Sequence, residues 1–273
     1  MKLFKRPIRM CVSRGLTILF SLSMISPLQA DNIHLYAAGS LKDALTAMVK
    51  SYEAGSGDKV ETKYGPSGLL KADILSGANA HVFASANMQH PEALHDQSRS
   101  GPVVRFARNK LCALVRSGLA VDGGNLLDRL LDPDMKVGTS TPKVDPSGDY
   151  AIEVFRKAGL IRPGAQAALE RKALQLVGSA NSGKPPNGRT AYGWHIAEGR
   201  ADIFLTYCTN AVAAQKENPG QQVVALPAAL AVGADYGLTV INGAPTAAQR
   251  LADFIMSTQG QMILTDHGFA SGK

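Results

Sequence analysis

The chain has 273 residues, which is enough for one large domain or two modest ones. Apolar residues make up 45% of it and charged residues 19%, and these proportions exclude a disordered chain, a collagen-like repeat and a polytopic membrane protein. The formal net charge of +7 would by itself suggest a nucleic-acid partner, but the positions of the charges argue against one.

The first thirty residues predict a secretory signal peptide. Five basic residues and no acidic residue precede Asp31, and an apolar run from Leu16 to Leu28 leads to a small residue, Ala30. The alternative, an uncleaved membrane anchor, is disfavoured because the run is short and Pro27 interrupts it. Removing residues 1–30 lowers the net charge from +7 to +2, so we expect an exported protein with no nucleic-acid partner.

Short apolar runs alternate with amphipathic stretches along the rest of the chain. The pattern predicts strands at 33–38, 60–64, 81–84, 111–115, 136–139, 203–207, 223–226 and 237–241. It predicts helices at 40–52, 68–75, 126–131, 150–158, 165–174, 192–198, 245–256 and 260–266. This alternation favours an α/β architecture with largely parallel sheets.

Two cysteines, Cys112 and Cys208, remain after the predicted signal peptide. An even pair in an exported protein permits a disulfide, and the alternative is two small buried thiols. The sequence leaves both open because it does not supply the separation of the two Cα atoms.

Three serines stand where a predicted strand passes into a predicted helix. The segments AGSLKD, GPSGLL and DPSGDY contain Ser40, Ser67 and Ser147. The simpler interpretation is that each serine caps its helix, and Ser40 with Asp43 fits a capping box. The second interpretation is that the three turns lie together and form an anion-binding site. Helix starts favour such a site because they offer free backbone N–H groups and the positive end of the helix dipole.

A site built in this way has many hydrogen-bond donors and few acceptors. It favours a fully ionised tetrahedral oxyanion over hydrogen phosphate, whose O–H would find no acceptor. Tyr207 ends a predicted strand and either adds a phenol O–H to the crevice or is an ordinary core tyrosine.

Three catalytic or nucleotide motifs are incomplete. The segment GSANSGK at 178–184 resembles a phosphate-binding P-loop, but Pro185 follows where a hydroxyl residue is required. Neither Ser67 nor Ser147 has the full G-x-S-x-G of a serine hydrolase, and the six histidines show no metal-ligand spacing. We therefore expect no catalytic residue, no directly bound metal ion and no cofactor.

The order of these segments resembles the periplasmic molybdate/tungstate-binding proteins of ABC importers, which are type II periplasmic binding proteins. The similar segments are AAGSLKDA at 37–44, GPSG at 65–68, VFASA at 82–86, DPSGDYA at 145–151, the stretch 199–207 and the tail 257–269. The resemblance implies a two-lobed α/β clamshell with two mostly parallel sheets joined by crossing strands. It implies that residues 31–111 and 237–273 form lobe one, and that residues 112–236, crossing strands included, form lobe two.

The resemblance also implies a ligand set. Ser40 and Ser67 would bind the oxyanion from lobe one, and Ser147 and Tyr207 from lobe two. Arg189 aligns with a backbone N–H contact at which the family usually has a small aliphatic residue, so its backbone or its guanidinium would serve.

The implied function is capture of molybdate or tungstate in the periplasm by a monomer that is not an enzyme. The ligand would pass to an ABC permease in the inner membrane. The alternatives are a different oxyanion or a small carboxylate on the same scaffold, a secreted serine hydrolase that uses Ser40 or Ser147, and an interaction module without a small ligand.

Overall fold

The computed structural model describes residues 1–3 and 31–272. The predicted signal peptide therefore lies outside the described residues, apart from its first three. Within those ranges, no helix combines the length and the apolar character needed to cross a membrane.

The described chain alternates strands and helices. The strands are β1 (Asn32–Ala38), β2 (Lys59–Gly65), β3 (Val82–Ser85), β4 (Val104–Val115), β5 (Val137–Ser140), β6 (Leu174–Val177), β7 (Ile203–Tyr207), β8 (Gln222–Ala225), β9 (Gly233–Val240) and β10 (Ala270–Ser271). The helices are α1 (Lys42–Ser56), α2 (Ser67–Leu75), α3 (Gln89–Asp96), α4 (Leu126–Leu131), α5 (Pro146–Ile161), α6 (Ala165–Lys172), α7 (Ala191–Ala197), α8 (Cys208–Glu217), α9 (Thr246–Met256) and α10 (Thr258–Asp266). A 3-10 turn, Gly39–Leu41, precedes α1.

The strands pair in the order β2-β1-β3-β9-β4-β7-β5-β6, with β8 and β10 also paired to β4. β1 runs parallel to β2 and β3, and β5 runs parallel to β6 and β7. β4 crosses between these two groups, because its residues 104–110 pair antiparallel with β9 and its residues 111–115 pair antiparallel with β7. We call the part built on β1, β2, β3 and β9 lobe one, and the part built on β5 to β8 lobe two.

The α/β clamshell that the sequence predicts is confirmed, with a refinement at its centre. The parallel strands lie in the outer part of each lobe, and every pairing made by β4 is antiparallel. Neighbouring strands are parallel where a helix connects them in sequence. β4 crosses from one lobe to the other and is not joined to its neighbours by such a connection, so it can pair with them antiparallel.

Helix α1 shows why the predicted elements form. Ala44, Leu45, Met48 and Tyr52 recur at helical spacing and are buried against the sheet of lobe one. The prediction missed α3, β6, α8 and the two-residue strand β10. β6 is a partly exposed strand without alternation, and α8 begins directly after β7 with no glycine or proline to separate the two.

Cys112 and Cys208 form a disulfide, with their Cα atoms 4.8 Å apart. Cys112 lies in β4, and Cys208 is the first residue of α8. The bond joins the start of α8, next to Tyr207, to the crossing strand. The disulfide therefore fixes the β7–α8 junction of lobe two to the crossing strand β4.

Candidate functional site

A cavity of about 590 Å³ lies between the two lobes, where the strand-to-helix turns meet. Four of the five residues that the sequence singles out line it, namely Ser40, Ser67, Arg189 and Tyr207. The fifth, Ser147, is not among the lining residues, although its neighbour Asp145 is. The cleft is thus lined by strand-to-helix turns that are far apart in the sequence.

Of the two interpretations of the three serines, the simpler one, that each caps its helix, is wrong. The residue that precedes α1 is Leu41, the one that precedes α2 is Pro66, and the one that precedes α5 is Asp145. Asp145 caps α5 by accepting a hydrogen bond from the backbone N–H of Ser147 at 3.1 Å. The serine hydroxyls therefore have no capping role, and those of Ser40 and Ser67 make other hydrogen bonds.

Ser67 is the first residue of α2 and is fully buried. Its Oγ accepts a hydrogen bond from the backbone N–H of Ala86 at 3.1 Å. A hydroxyl that accepts in this way still has its own proton to donate. Because Ser67 lines the cavity, that proton is available to an anion there.

Ser40 is tied to a hydrogen-bond network that crosses the molecule. Its Oγ lies 2.9 Å from the phenol oxygen of Tyr236 on β9. Asn109 of β4 donates through Nδ2 to Tyr236 at 3.3 Å and to Oγ1 of Thr209 on α8 at 2.9 Å. Burial raises the pKa of Tyr236 well above its usual range, so its phenol stays neutral. The network sets the position of the Ser40 hydroxyl from both lobes.

Tyr207 is the last residue of β7 and is buried at the cavity. Its phenol O–H donates to the backbone carbonyl of Ala86 at 3.2 Å, a contact from lobe two to lobe one. Burial raises the pKa of Tyr207 well above its usual range, so it too is a neutral donor. Ala86 is thus contacted by one residue of each lobe, through its N–H and its carbonyl.

The lobes also touch where α2 begins. The backbone N–H of Gly68 donates to the carbonyl of Val144, in the turn before α5, at 2.8 Å. A Cβ atom at position 68 would lie 2.6 Å from that carbonyl oxygen, which is far inside van der Waals contact. Glycine is therefore required for the lobes to approach this closely.

Arg189 lines the cavity, but its donors have protein partners. Its backbone N–H donates to the carbonyl of Pro186 at 3.1 Å. Its guanidinium pairs with Glu217 of α8 and donates to Asn218 at 3.2 Å. The backbone therefore stabilises the loop itself, and the side chain holds the loop against the C-terminal end of α8.

Ser147 is the second residue of α5 and is fully buried. Its hydroxyl has no hydrogen-bond partner among the described residues. Unpartnered buried hydroxyls are uncommon in proteins because their desolvation is not compensated. The hydroxyl therefore has unused hydrogen-bonding capacity beside the cleft.

Asp145 is the cleft residue that the sequence did not single out. Burial raises its pKa to about 6, and the hydrogen bond from the Ser147 N–H offsets only part of that shift. It makes no ion pair within the described part of the chain. The expectation of a cleft poor in acceptors is therefore wrong. An Asp-Pro-Ser segment is typical of a helix cap, so the sequence contains no signal that this carboxyl lies in a cleft.

Gly178 explains how the carboxyl is accommodated. It has a φ of +95° and packs directly on Asp145, and a Cβ at position 178 would lie 2.5 Å from the Cβ of Asp145. The segment that resembles a P-loop thus begins with a glycine that packs against the cleft carboxylate.

Residues 1–3 and 31–272 contain no group of three or more histidine, cysteine, aspartate or glutamate side chains that could hold a metal ion. No described histidine lines the cavity, so Ser40 and Ser67 have no imidazole base beside them there.

The model of the bacterial extracellular solute-binding protein family matches residues 33–270. The chain belongs to this family. An uncharacterized protein of Pasteurella multocida is 32% identical over 243 residues, which cover 87% of this chain and 98% of that protein. The periplasmic molybdate-binding protein of Azotobacter vinelandii has the same fold, with a TM-score of 0.71, 20% identity, and coverage of 87% of this chain and 98% of that one.

The sulfate-binding protein SubI of Mycobacterium tuberculosis is also similar, with a TM-score of 0.71, 19% identity, and coverage of 88% of this chain and 87% of that one. The resemblance to the substrate-binding proteins of ABC importers is therefore confirmed. Members of this family bind solutes, and neighbours of the same fold are named for different anions.

Proposed function

We propose that the protein captures a tetrahedral oxyanion, molybdate or tungstate, between its lobes and delivers it to an ABC permease in the inner membrane. The observation that carries the proposal is that neutral hydroxyl donors from both lobes, Ser40 and Ser67 on one side and Tyr207 on the other, line one cavity. Neutral donors at helix starts stabilise an anion without a paired cation. The Ser147 hydroxyl does not line the cavity, but it is buried without a partner two residues from Asp145, which does line it.

Capture needs no chemical step. An anion that accepts hydrogen bonds from both lobes binds the closed form better than an open one, so it shifts the population toward the closed form. The Gly68–Val144 contact adds to the stability of that form, and the Tyr207 O–H, which donates to the Ala86 carbonyl here, would turn to the anion when it binds. In this proposal the lobes comprise residues 31–111 with 237–273 and residues 112–236, and their closed arrangement is what the permease recognises.

The protein acts as a periplasmic monomer after cleavage of residues 1–30, without a cofactor and without enzymatic activity. The hydrolase alternative lacks support because no described histidine lines the cavity beside the serines. A different anion on the same scaffold remains the second candidate, and the Asp145 carboxyl in the cleft favours it.

The test is calorimetric titration with molybdate, tungstate, sulfate and phosphate. We expect tight binding of at least one of these dianions. Replacing both Ser40 and Ser67 with alanine should weaken it at least tenfold, since hydrogen bonds to a charged group contribute about 1.5–3 kcal/mol each. Ser76→Ala, at the exposed end of α2, is the matched control and should bind as the wild type does. Unchanged affinity in the double variant would contradict the proposed donors.

A further inference from the structure

The cleft combines several neutral donors with one buried carboxyl group, that of Asp145. Asp145 is 9% exposed and lines the same cavity as Ser40, Ser67 and Tyr207. Beside it, the Ser147 hydroxyl is buried and unpartnered. An aspartate that only caps a helix does not need to line a cavity or to lie beside an unpartnered hydroxyl. Helix capping alone therefore does not explain why Asp145 lies in the cleft.

Among residues 1–3 and 31–272, no cation forms an ion pair with this carboxyl group. The titratable side chains that interact with it are Asp149 on its own helix, Tyr192 on α7 and Tyr207 on β7, all neutral or negative. Other charged residues line the cavity, namely Lys42, Asp43, Arg189, Lys216 and Glu217, and Arg189 and Glu217 are paired with each other. None of the basic residues forms an ion pair with Asp145 in the described structure.

A dianion and an ionised carboxylate that share a water-poor cleft repel each other. Two like charges in one site do not both stay ionised; one proton is retained between them. A carboxylic acid that keeps its proton donates one hydrogen bond, which an anion oxygen accepts. The same bond forms if the proton arrives on the anion and the carboxylate accepts it.

We propose that the cleft binds a tetrahedral dianion together with one proton, which Asp145 shares with an oxygen of the anion. The proposal rests on the proposed anion function and specifies its substrate class. Hydrogen phosphate already carries this proton, so it binds without taking up another one. Molybdate, tungstate and sulfate carry none at neutral pH, so the Asp145 carboxylate must take up a proton from solvent when they bind. Asp145 thereby determines specificity between the two kinds of anion.

The pH dependence follows from the pKa of about 6 for Asp145 in the free protein. The fraction of protonated carboxyl falls about tenfold for each pH unit above that value. The dissociation constant of the wild type for molybdate should therefore rise on the order of 50- to 100-fold between pH 5.5 and pH 8. Hydrogen phosphate at pH 8 should bind without net proton uptake.

The experiment compares the wild type with Asp145→Asn by calorimetric titration with molybdate, sulfate and phosphate. Asparagine caps helices as well as aspartate does and has nearly the same shape, so α5 is retained. In Asp145→Asn we expect molybdate and sulfate to bind at least tenfold more tightly at pH 8, with little dependence on pH. Phosphate should bind at least tenfold more weakly than to the wild type. Titration at pH 8 in buffers of different ionisation enthalpy should give close to one proton taken up per molybdate in the wild type and none in the variant.

Asp149→Asn is the matched control. Asp149 lies one helical turn away and accepts a hydrogen bond from the backbone N–H of Lys143 at 2.8 Å, but it does not line the cavity. This variant should keep the proton uptake and a pH dependence of similar size, moved to slightly lower pH because the like charge of Asp149 raises the pKa of Asp145. If Asp145→Asn does not fold, Asp145→Ser also keeps a capping oxygen and removes the carboxyl, and the same outcomes apply to it.

Molybdate binding to the wild type that is independent of pH and takes up no proton would overturn the role of Asp145 while leaving the anion function intact. Absence of binding by every anion, at both pH values and to every variant, would instead refute the anion function, and the Asp145 proposal with it.

Discussion

Gly68 gives a direct test of lobe closure. It is the second residue of α2 in lobe one, and its N–H donates at 2.8 Å to the carbonyl of Val144 in lobe two. In Gly68→Ala the new Cβ would lie 2.6 Å from that oxygen and 2.9 Å from the carbonyl oxygen of Lys143. Both obstacles are backbone atoms, which cannot turn aside as a flexible side chain does. The variant should therefore keep its fold but close poorly.

The magnitude comes from two effects that both destabilise the closed form. The closed form loses one buried hydrogen bond, about 1 kcal/mol, and gains overpacking of about 1–3 kcal/mol. An open form loses neither, and alanine favours the helix by up to about 1 kcal/mol over glycine. The net penalty on closure is about 2–4 kcal/mol, which corresponds to about 30- to 700-fold weaker anion binding, since 1.4 kcal/mol is tenfold.

The assay is calorimetric titration of Gly68→Ala with the anion that the wild type binds most tightly, together with a thermal melt of the free protein. The control is Gly55→Ala, since Gly55 also lies in a helix and its added Cβ would meet nothing within 4 Å. We expect the control to bind normally and both variants to unfold near the wild-type temperature. Wild-type affinity in Gly68→Ala would refute the inference that the Gly68–Val144 contact belongs to the ligand-bound form.

The remaining predictions concern the walls of the cleft. Tyr207→Phe removes the phenol that faces the cavity and contacts Ala86, and we expect calorimetry to show anion affinity lowered by about 1–3 kcal/mol; unchanged affinity would exclude the phenol as a donor. Replacing both Cys112 and Cys208 with alanine removes a disulfide that joins residues 96 positions apart in the sequence. The entropy of the opened loop predicts that the free energy of unfolding, measured with urea, falls by about 4–5 kcal/mol. Equal stability of the variant and the wild type would contradict the presence of the disulfide. Arg189→Gln should lower the melting temperature more than it lowers anion affinity, because the guanidinium pairs with α8; a large loss of affinity with normal stability would assign the side chain to the ligand.

The sequence by itself determined the elements whose burial is periodic. The helical spacing of Leu45, Met48 and Tyr52 and the short apolar runs of β1 and β7 predicted α/β lobes, because each element must bury one face and the spacing of its apolar residues reveals which. The turns that contain Ser40 and Ser67 were likewise visible, since helix starts follow strand ends at recognisable residues. The resemblance to importer binding proteins supplied the arrangement of the lobes.

Only the tertiary structure decided what the polar groups of those turns contact. Ser40 bonds to Tyr236, 196 residues away, instead of capping α1, and the Gly68 N–H bonds to a carbonyl of the other lobe. Asp145 is a helix cap by sequence and a cleft carboxylate by position, because Gly178 and the facing lobe surround it. Apolar periodicity is a local property that the chain repeats every few residues, whereas a hydrogen-bond partner is settled only when distant segments dock and water is excluded between them.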